Sequence, residues 1–337
     1  MKLIKTEDAV GHVLCHDITQ IIKGATKDAL FRKGHIVTEE DIPLLLSVGK
    51  EHLYVWENDE SMMHENNAAM VLLDMCKNDY MSYGEIKEGK IELKSEIHGL
   101  FKVDRKALFT VNSFGQMMIA TRHSNTVVNP GDKLAGMRII PLVIEKEKMD
   151  KARSLITSSI LEIKPFVLKK AAVITTGSEV YKGRIQDTFT PVIQTKLAEF
   201  GCEMVYHAIC DDDDKMVTEK INEALKQGVD IVLCTGGMSV DPDDKTPLAI
   251  KNTGANIISY GSPVLPGAMF LLSYKGEVPT VGLPGCVMYA KRTVFDLVLP
   301  RLLAKDVVTY EELCDLGEGG LCLGCKVCTY PNCGFGK

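Results

Sequence analysis

The chain has 337 residues, enough for about two or three domains with cores of their own, and its 45% hydrophobic and 25% charged content is ordinary for a globular protein. A formal net charge of −6 argues against a nucleic-acid-binding surface, and aromatic residues at 6% leave little for a base-stacking platform. No apolar run approaches the ~20 residues of a membrane-spanning helix. The opening Met1-Lys-Leu-Ile-Lys-Thr-Glu-Asp8 lacks the apolar centre of a signal peptide, so a cytoplasmic protein with reduced thiols is expected.

In chain order, residues 1–58 read as a small α+β unit. Phe31-Arg-Lys-Gly-His-Ile-Val-Thr38 resembles a strand broken by a glycine turn, Thr38–Gly49 a capped helix, and His52–Trp56 a strand. Residues 59–168 form a middle region. It holds a helix around Ala68–Asp79, strands over Ile91–Ile97, Met117–Ala120 and Lys133–Ile140 with a turn at Asn129-Pro-Gly-Asp132, and a helical connector over Glu145–Leu161.

Residues 169–304 then repeat strand, loop and helix. Strands are expected at Ala171–Thr175, Met204–Ala208, Ile231–Cys234, Asn256–Ser259 and Thr280–Gly282. Helices are expected at Pro191–Phe200, Lys215–Gln227, Pro247–Asn252 and Val287–Leu303. Such alternation implies an α/β domain, a largely parallel sheet with helices on both faces, in three layers. Three glycine loops sit at strand ends: Val173-Ile-Thr-Thr-Gly-Ser-Glu-Val180, Val232-Leu-Cys-Thr-Gly-Gly-Met-Ser239 and Val281-Gly-Leu-Pro-Gly-Cys286. Ligands of open α/β sheets bind at the carboxyl ends of parallel strands. Glycines there admit close backbone approach, and free N–H groups favour anionic oxygens.

The order of Thr175-Thr-Gly-Ser-Glu-Val180, Gly183-Arg-Ile-Gln-Asp187, the acids Asp211–Asp214, Thr235-Gly-Gly-Met-Ser239, Pro263-Val-Leu-Pro-Gly267 and Gly282-Leu-Pro-Gly285 resembles the molybdenum-cofactor biosynthesis domain. The nearest likeness is to the molybdopterin molybdenumtransferase group, the MoeA and gephyrin E-domain proteins. Lys33–Thr38 through Val48-Gly49 is similar to a segment preceding that domain in the same group.

The resemblance implies the molybdopterin-binding fold, a pterin dithiolene ligand presented as its adenylate, and a homodimer. It also implies a transferase that places molybdate on the ligand with release of AMP, assisted by Mg²⁺, for a molybdoenzyme client. On this reading Thr176, Gly177, Glu179, Thr235, Gly236, Gly237, Ser239, Lys245, Pro284 and Gly285 hold the ligand, and Asp241, Asp243 and Asp244 are the catalytic, metal-holding carboxylates.

Two departures leave other readings open. Residues 1–168 carry no Asp-Gly-Tyr-Ala-type segment, which favours a non-catalytic cofactor carrier or sensor. The loop after Ser239 reads Val-Asp-Pro-Asp-Asp-Lys-Thr-Pro, similar to the competence-damage-inducible branch of the fold, which favours a nucleotide pyrophosphatase-like protein.

Asp211–Asp214 are expected to cap the following helix. The eight histidines are scattered without ligand spacing. Cys202, Cys210, Cys234 and Cys286 read as small buried hydrophobes, although a helix amino terminus at Cys286 would lower its thiol pKa.

Residues 305–337 form a cysteine-rich tail. Cys322, Cys325, Cys328 and Cys333 supply a thiolate ligand set close to a ferredoxin spacing, with the last interval one residue longer. A structural Zn²⁺ clip is the leading reading. An iron–sulfur cluster comes second, and a thiol-reactive tail third.

Overall fold

The computed structural model describes residues 2–22, 26–55, 60–239 and 244–337. The chain forms two compact units: residues 1–95, 103–122 and 131–162, and residues 96–102, 123–130 and 163–337.

In the first unit, Lys2–Lys5 pairs antiparallel with His52–Val55, and Ile18–Ile22 with Thr26–Phe31. Helix Asp41–Ser47 closes over Leu14, Ile18, Val37, Leu45 and Leu53. The strand expected over Phe31–Thr38 ends at Phe31, because the chain turns at Gly34 with φ of +89°. Helix Glu65–Cys76 lies against a four-stranded antiparallel sheet, ordered Met81–Tyr83, Ile91–Ser95, Lys133–Ile139, Met117–Thr121. The connector expected to be helical to Leu161 is helical only over Lys146–Ser154. Leu161–Pro165, with isoleucine and proline in an alternating pattern, is a strand instead.

The second unit carries the six-stranded sheet. Its elements are β1 (Lys170–Thr176), α1 (Ser178–Tyr181), α2 (Phe189–Ala198), β2 (Glu203–Cys210), α3 (Asp214–Lys226), β3 (Ile231–Thr235), α4 (Thr246–Asn252), β4 (Asn256–Tyr260), β5 (Leu271–Lys275), β6 (Val278–Leu283), α5 (Val294–Leu303) and α6 (Tyr310–Asp315). Strand order is β2-β1-β3-β6-β5-β4. The first four are parallel, and β5 and β4 are antiparallel additions at one edge.

Alternation along the parallel strands explains the layers. Ala171, Val173, Ile231, Leu233, Val281 and Leu283 join Ile193, Leu197, Val298 and Leu302 in one core. Their neighbours Ala172, Ile174, Val232 and Cys234 join Val217, Ile221, Ala249 and Ile250 in the other. Helices α2 and α5 therefore cover one face and α3 and α4 the opposite one, as the strand and helix periods imply.

The helix expected over Val287–Leu303 is in two pieces. A short 3₁₀ turn covers Gly285–Met288, and α5 begins only after Thr293, whose hydroxyl and backbone form a capping box with Asp296. Beyond α5, Val308, Leu313 and Phe335 enter the core on the α2/α5 face, so the tail packs onto this unit. No helix of the described residues is long and apolar enough to cross a membrane.

Candidate functional site

The parallel strands β1, β3 and β6 end side by side, with Thr175 opposite Thr235 and Thr235 opposite Leu283. The path of the chain beyond β3 depends on two glycines. Gly236 has φ of +82°, and a Cβ there would lie 2.2 Å from the Thr176 carbonyl oxygen. Gly237 has φ of +55°, and its Cβ would meet Thr246 Oγ1 at 2.8 Å. Lacking side chains, the two let the β3 loop lie directly on the end of β1.

Thr246 then ties the pieces together. Its hydroxyl donates to the Gly236 carbonyl at 2.9 Å and lies 3.3 Å from Thr176 Oγ1. On the other side, buried Met238 occupies the space that a Cβ on Gly282 of β6 would need, its sulfur 2.5 Å from that point. Tyr260, at the end of β4, donates its hydroxyl to the Met238 and Ser239 carbonyls at 3.2 and 3.3 Å.

The β1 loop is held from β2. Gly177 N–H donates to the Cys210 carbonyl, Ser178 N–H to Asp212 at 2.8 Å, and Ser178 Oγ to Asp211 at 2.5 Å. The Ser178 hydroxyl keeps the Asp211 carboxyl below the usual carboxylate range, helped by the Asp212 N–H and Lys182. Asp213 caps α3, accepting from Met216 N–H at 2.8 Å. The acid run therefore does two things: it caps a helix, as expected, and it also splints the neighbouring loop.

A polar cluster that site assignment from sequence passed over lies behind these loops. Asp187 accepts from the Phe189 and Thr190 N–H groups at 2.9 and 3.0 Å, and from the Thr190 and Thr175 hydroxyls at 2.6 and 3.1 Å. His207 Nε2 lies 3.5 Å from the carboxylate and 3.2 Å from both hydroxyls. Burial alone would raise the Asp187 pKa, but the bonds from Thr190, Phe189 and Thr175 hold it below the ordinary value. The signal was the aspartate closing Gly183-Arg-Ile-Gln-Asp187 before a helix, a capping pattern. Asp187→Ala orphans several buried donors and should cost about 2–3 kcal/mol in urea unfolding, from unpaired groups and a lost cap. A change below about 0.5 kcal/mol would show the cluster to be dispensable.

The residues expected to bind ligand are thus largely brought together. Thr176, Gly177, Thr235, Gly236, Gly237 and Pro284 gather at the strand ends, while Glu179, Ser239 and Gly285 are exposed at the rim and Lys245 and Asp244 are half-buried. Thr235 Oγ1 is buried with no hydrogen-bond partner among the described residues, a polar atom on the same sheet face as Thr175. Asp241 and Asp243 lie outside the described residues. Among the described residues no three His, Cys, Asp or Glu side chains are arranged to hold a single metal ion, whether near Asp244 or in the tail.

The thiol expectation at Cys286 is corrected. The residue lies within a 3₁₀ turn, not at the start of an α-helix, and burial pushes its pKa up. Cys202 and Cys210, pushed up to about 11, and the fully buried Cys234 are packing residues. Cys322, Cys325, Cys328 and Cys333 all line a single cavity on the second unit, and none of the residues expected to bind the ligand lines it.

Residues 172–304 match a family model described as a probable molybdopterin binding domain, and residues 3–57 match a domain of unknown function. A CinA-like protein of Mycobacterium tuberculosis is 35% identical over 80 residues, covering 24% of this chain and 19% of that protein. A CinA-like protein of Mycobacterium avium is likewise 35% identical over 80 residues, covering 24% and 18%. The match therefore spans less than a fifth of these relatives' length.

Among solved structures, the molybdopterin biosynthesis enzyme MoaB of Thermus thermophilus is 20% identical, covering 42% of this chain and 99% of its own, with a TM-score of 0.35. MoaB of Pyrococcus furiosus, a tungsten cofactor synthesizing protein, is 26% identical, covering 41% and 89%, with a TM-score of 0.31. Residues 172–304 are a domain of the molybdopterin-binding family.

Proposed function

We propose that this domain binds the phosphate-bearing pterin of molybdenum-cofactor biosynthesis across the joined ends of β1, β3 and β6, and that the protein is a molybdopterin molybdenumtransferase-like enzyme acting as a homodimer. The observation that carries the reading is the Gly236-Gly237 loop, whose glycines are required by its closeness to Thr176 and Thr246. Such a loop presents backbone, not side chains, to a ligand, and that suits phosphate or molybdate oxygens. The exposed Ser239 hydroxyl and the Lys245 ammonium add a donor and a counter-charge, and the buried Thr235 hydroxyl, without a partner among the described residues, adds a further polar atom nearby. Glu179, at the rim, would orient the pterin.

In the proposed reaction molybdate condenses with the two dithiolene thiols, releasing water, and water cleaves the phosphoanhydride at the terminal phosphate, so that AMP leaves. Asp241, Asp243 and Asp244 would hold the Mg²⁺, and Asp244 is the one of the three within the described residues. A second reading has its own support. The likeness to CinA-like proteins, together with the Asp241-Pro-Asp-Asp244 loop, favours hydrolysis of a nucleotide pyrophosphate.

Incubating the protein with adenylated molybdopterin and molybdate, and separately with ADP-ribose, distinguishes the two. Molybdate-dependent AMP release, reduced about tenfold in Ser239→Ala by loss of a phosphate donor, is expected of the transferase. ADP-ribose cleavage without molybdate dependence would replace it with the second reading. Binding of the pterin with neither activity would leave a carrier.

A further inference from the structure

We propose that Cys322, Cys325, Cys328 and Cys333 hold an iron–sulfur cluster in the cavity they line. The site is independent of the pterin reading, since none of its residues belongs to the strand-end loops.

The tail is seated by backbone bonds and by packing against the core. Cys322 N–H donates to the Leu265 carbonyl at 2.8 Å, and Leu265 N–H donates to the Gly320 carbonyl at 2.9 Å. Tyr330 donates its hydroxyl to the Asp296 carbonyl at 3.1 Å and lies under the Arg292 guanidinium, 4.9 Å from its ring centre. Phe335 is buried in the core, and Gly336 sits against Leu297, with no room there for a side chain. A segment anchored by a buried aromatic, a ring-stacked cation and backbone bonds does not need a metal clip to fold, which removes the main reason to expect structural zinc.

Cys325 and Cys328 are left over from this packing, while Cys322 and Cys333 rest partly buried against the core. All four are free thiols. Cys325 and Cys328 are exposed, and Cys322 and Cys333 are half-buried. All four line one cavity of about 580 Å³. A zinc ion needs four sulfurs about 2.3 Å from a single centre. A cubane cluster has an iron at each of four corners and takes one thiolate at each, so its ligands stand further apart around a larger space.

The chemistry of the walls agrees. Pro266, Leu321 and Phe335 give an apolar lining, and Lys291, Arg292 and Lys326 place cations beside what would be a strongly anionic thiolate cluster. Lys291 also donates to the Lys326 carbonyl at 2.9 Å, tying the cysteine loop to the segment before α5. Cys314 is excluded, because it lines a different cavity with Tyr310 and Leu313.

The test uses the full chain, purified without oxygen and supplied with ferric iron, sulfide and excess dithiothreitol, whose oxidation gives the two electrons that take four ferric ions to a two-ferric, two-ferrous cluster. About four irons and four acid-labile sulfides per chain are expected, with a charge-transfer absorption that dithionite bleaches. Cys325→Ser and Cys328→Ser, both at exposed positions, should each cut iron and sulfide loading about fivefold or more, while Cys314→Ser loads fully. Far-ultraviolet circular dichroism of each variant before loading confirms that the comparison is between folded chains.

Two results would overturn the proposal. One is a single tightly held zinc per chain that excludes iron, with cobalt substitution showing tetrahedral thiolate bands. The other is loading no greater than that of the Cys325→Ser, Cys328→Ser double variant.

Discussion

Gly236→Ala should lower the stability of the α/β unit by about 2–5 kcal/mol and abolish binding of the adenylated pterin. The two contributions have separate origins. A non-glycine residue at φ of +82° costs about 1–2 kcal/mol from the steric conflict of its own Cβ with the backbone. The new Cβ would also stand 2.2 Å from the Thr176 carbonyl oxygen, a backbone atom that no rotamer change can move aside. Relief requires the β3 loop to separate from the end of β1, which would break the Thr246 bond to the Gly236 carbonyl.

Gly183→Ala is the control. It has the same sign of φ, +69°, but nothing within 4 Å of the added carbon, so it should cost only about 1 kcal/mol and leave binding largely intact. Urea midpoints at unchanged slope measure both variants. Equal losses for the two would mean that backbone strain alone, and not the loop contact, sets the cost at Gly236.

The α/β domain was largely readable from sequence because its signals are local and redundant. Short apolar runs such as Ile231–Thr235, each ending at a glycine, can be little else than buried parallel strands. β5 was missed for a physical reason: Leu271–Lys275 joins the sheet through a tight turn at Gly276, so no helix separates it from β6 to mark it. The break before α5 was also hidden. Val287–Leu303 is apolar at helical spacing throughout, and only the Thr293–Asp296 capping box fixes the start.

The site was half legible. The glycines announced it, since a loop that must touch another backbone admits little else. Asp187, His207 and Tyr260 could not be placed there, because their roles depend on distant partners: Thr175 for the first two, and the Met238 and Ser239 carbonyls for the third. The cysteine spacing raised both metals, with a structural zinc clip ahead of an iron–sulfur cluster. What separates them is whether the tail can fold unaided, which depends on Phe335, Tyr330 and Arg292 meeting α5 and its surroundings.

Asp306→Asn should destabilise the second unit by about 3 kcal/mol near neutral pH, and the gap from the unmodified protein should close in acid. The Asp306 carboxylate is buried between Lys102 at 2.7 Å, Lys164 at 2.9 Å and Arg301 Nε at 2.7 Å. Burial alone would raise its pKa, but the three cations more than reverse that and hold it at about 2, against an ordinary 3.8.

A carboxyl depressed on folding contributes stability that is complete above its unfolded pKa and disappears as pH falls through the folded one. The dependence attributable to Asp306 therefore lies between about pH 4 and pH 2 and amounts to about 2 kcal/mol. The amide keeps the shape but leaves three cations facing a neutral group, and one partnered charge removed from a buried network costs more than the pair was worth.

The effect should reach the tail. Arg301 also bonds Glu312 at 2.8 Å and the Val307 carbonyl at 3.3 Å, so it connects the Asp306 network to the amino-terminal capping box of α6. Loss of Asp306 frees Arg301 to shift and loosens the start of the segment that carries the cysteines. Denaturant unfolding of both proteins across pH 2–7, with proteolysis near Val307–Thr309 as a local readout, measures each part. A gap that stays constant through pH 4 to 2 would assign the acid sensitivity to other carboxylates. Unchanged cleavage alongside the full loss of stability would confine the network to the core beneath α5.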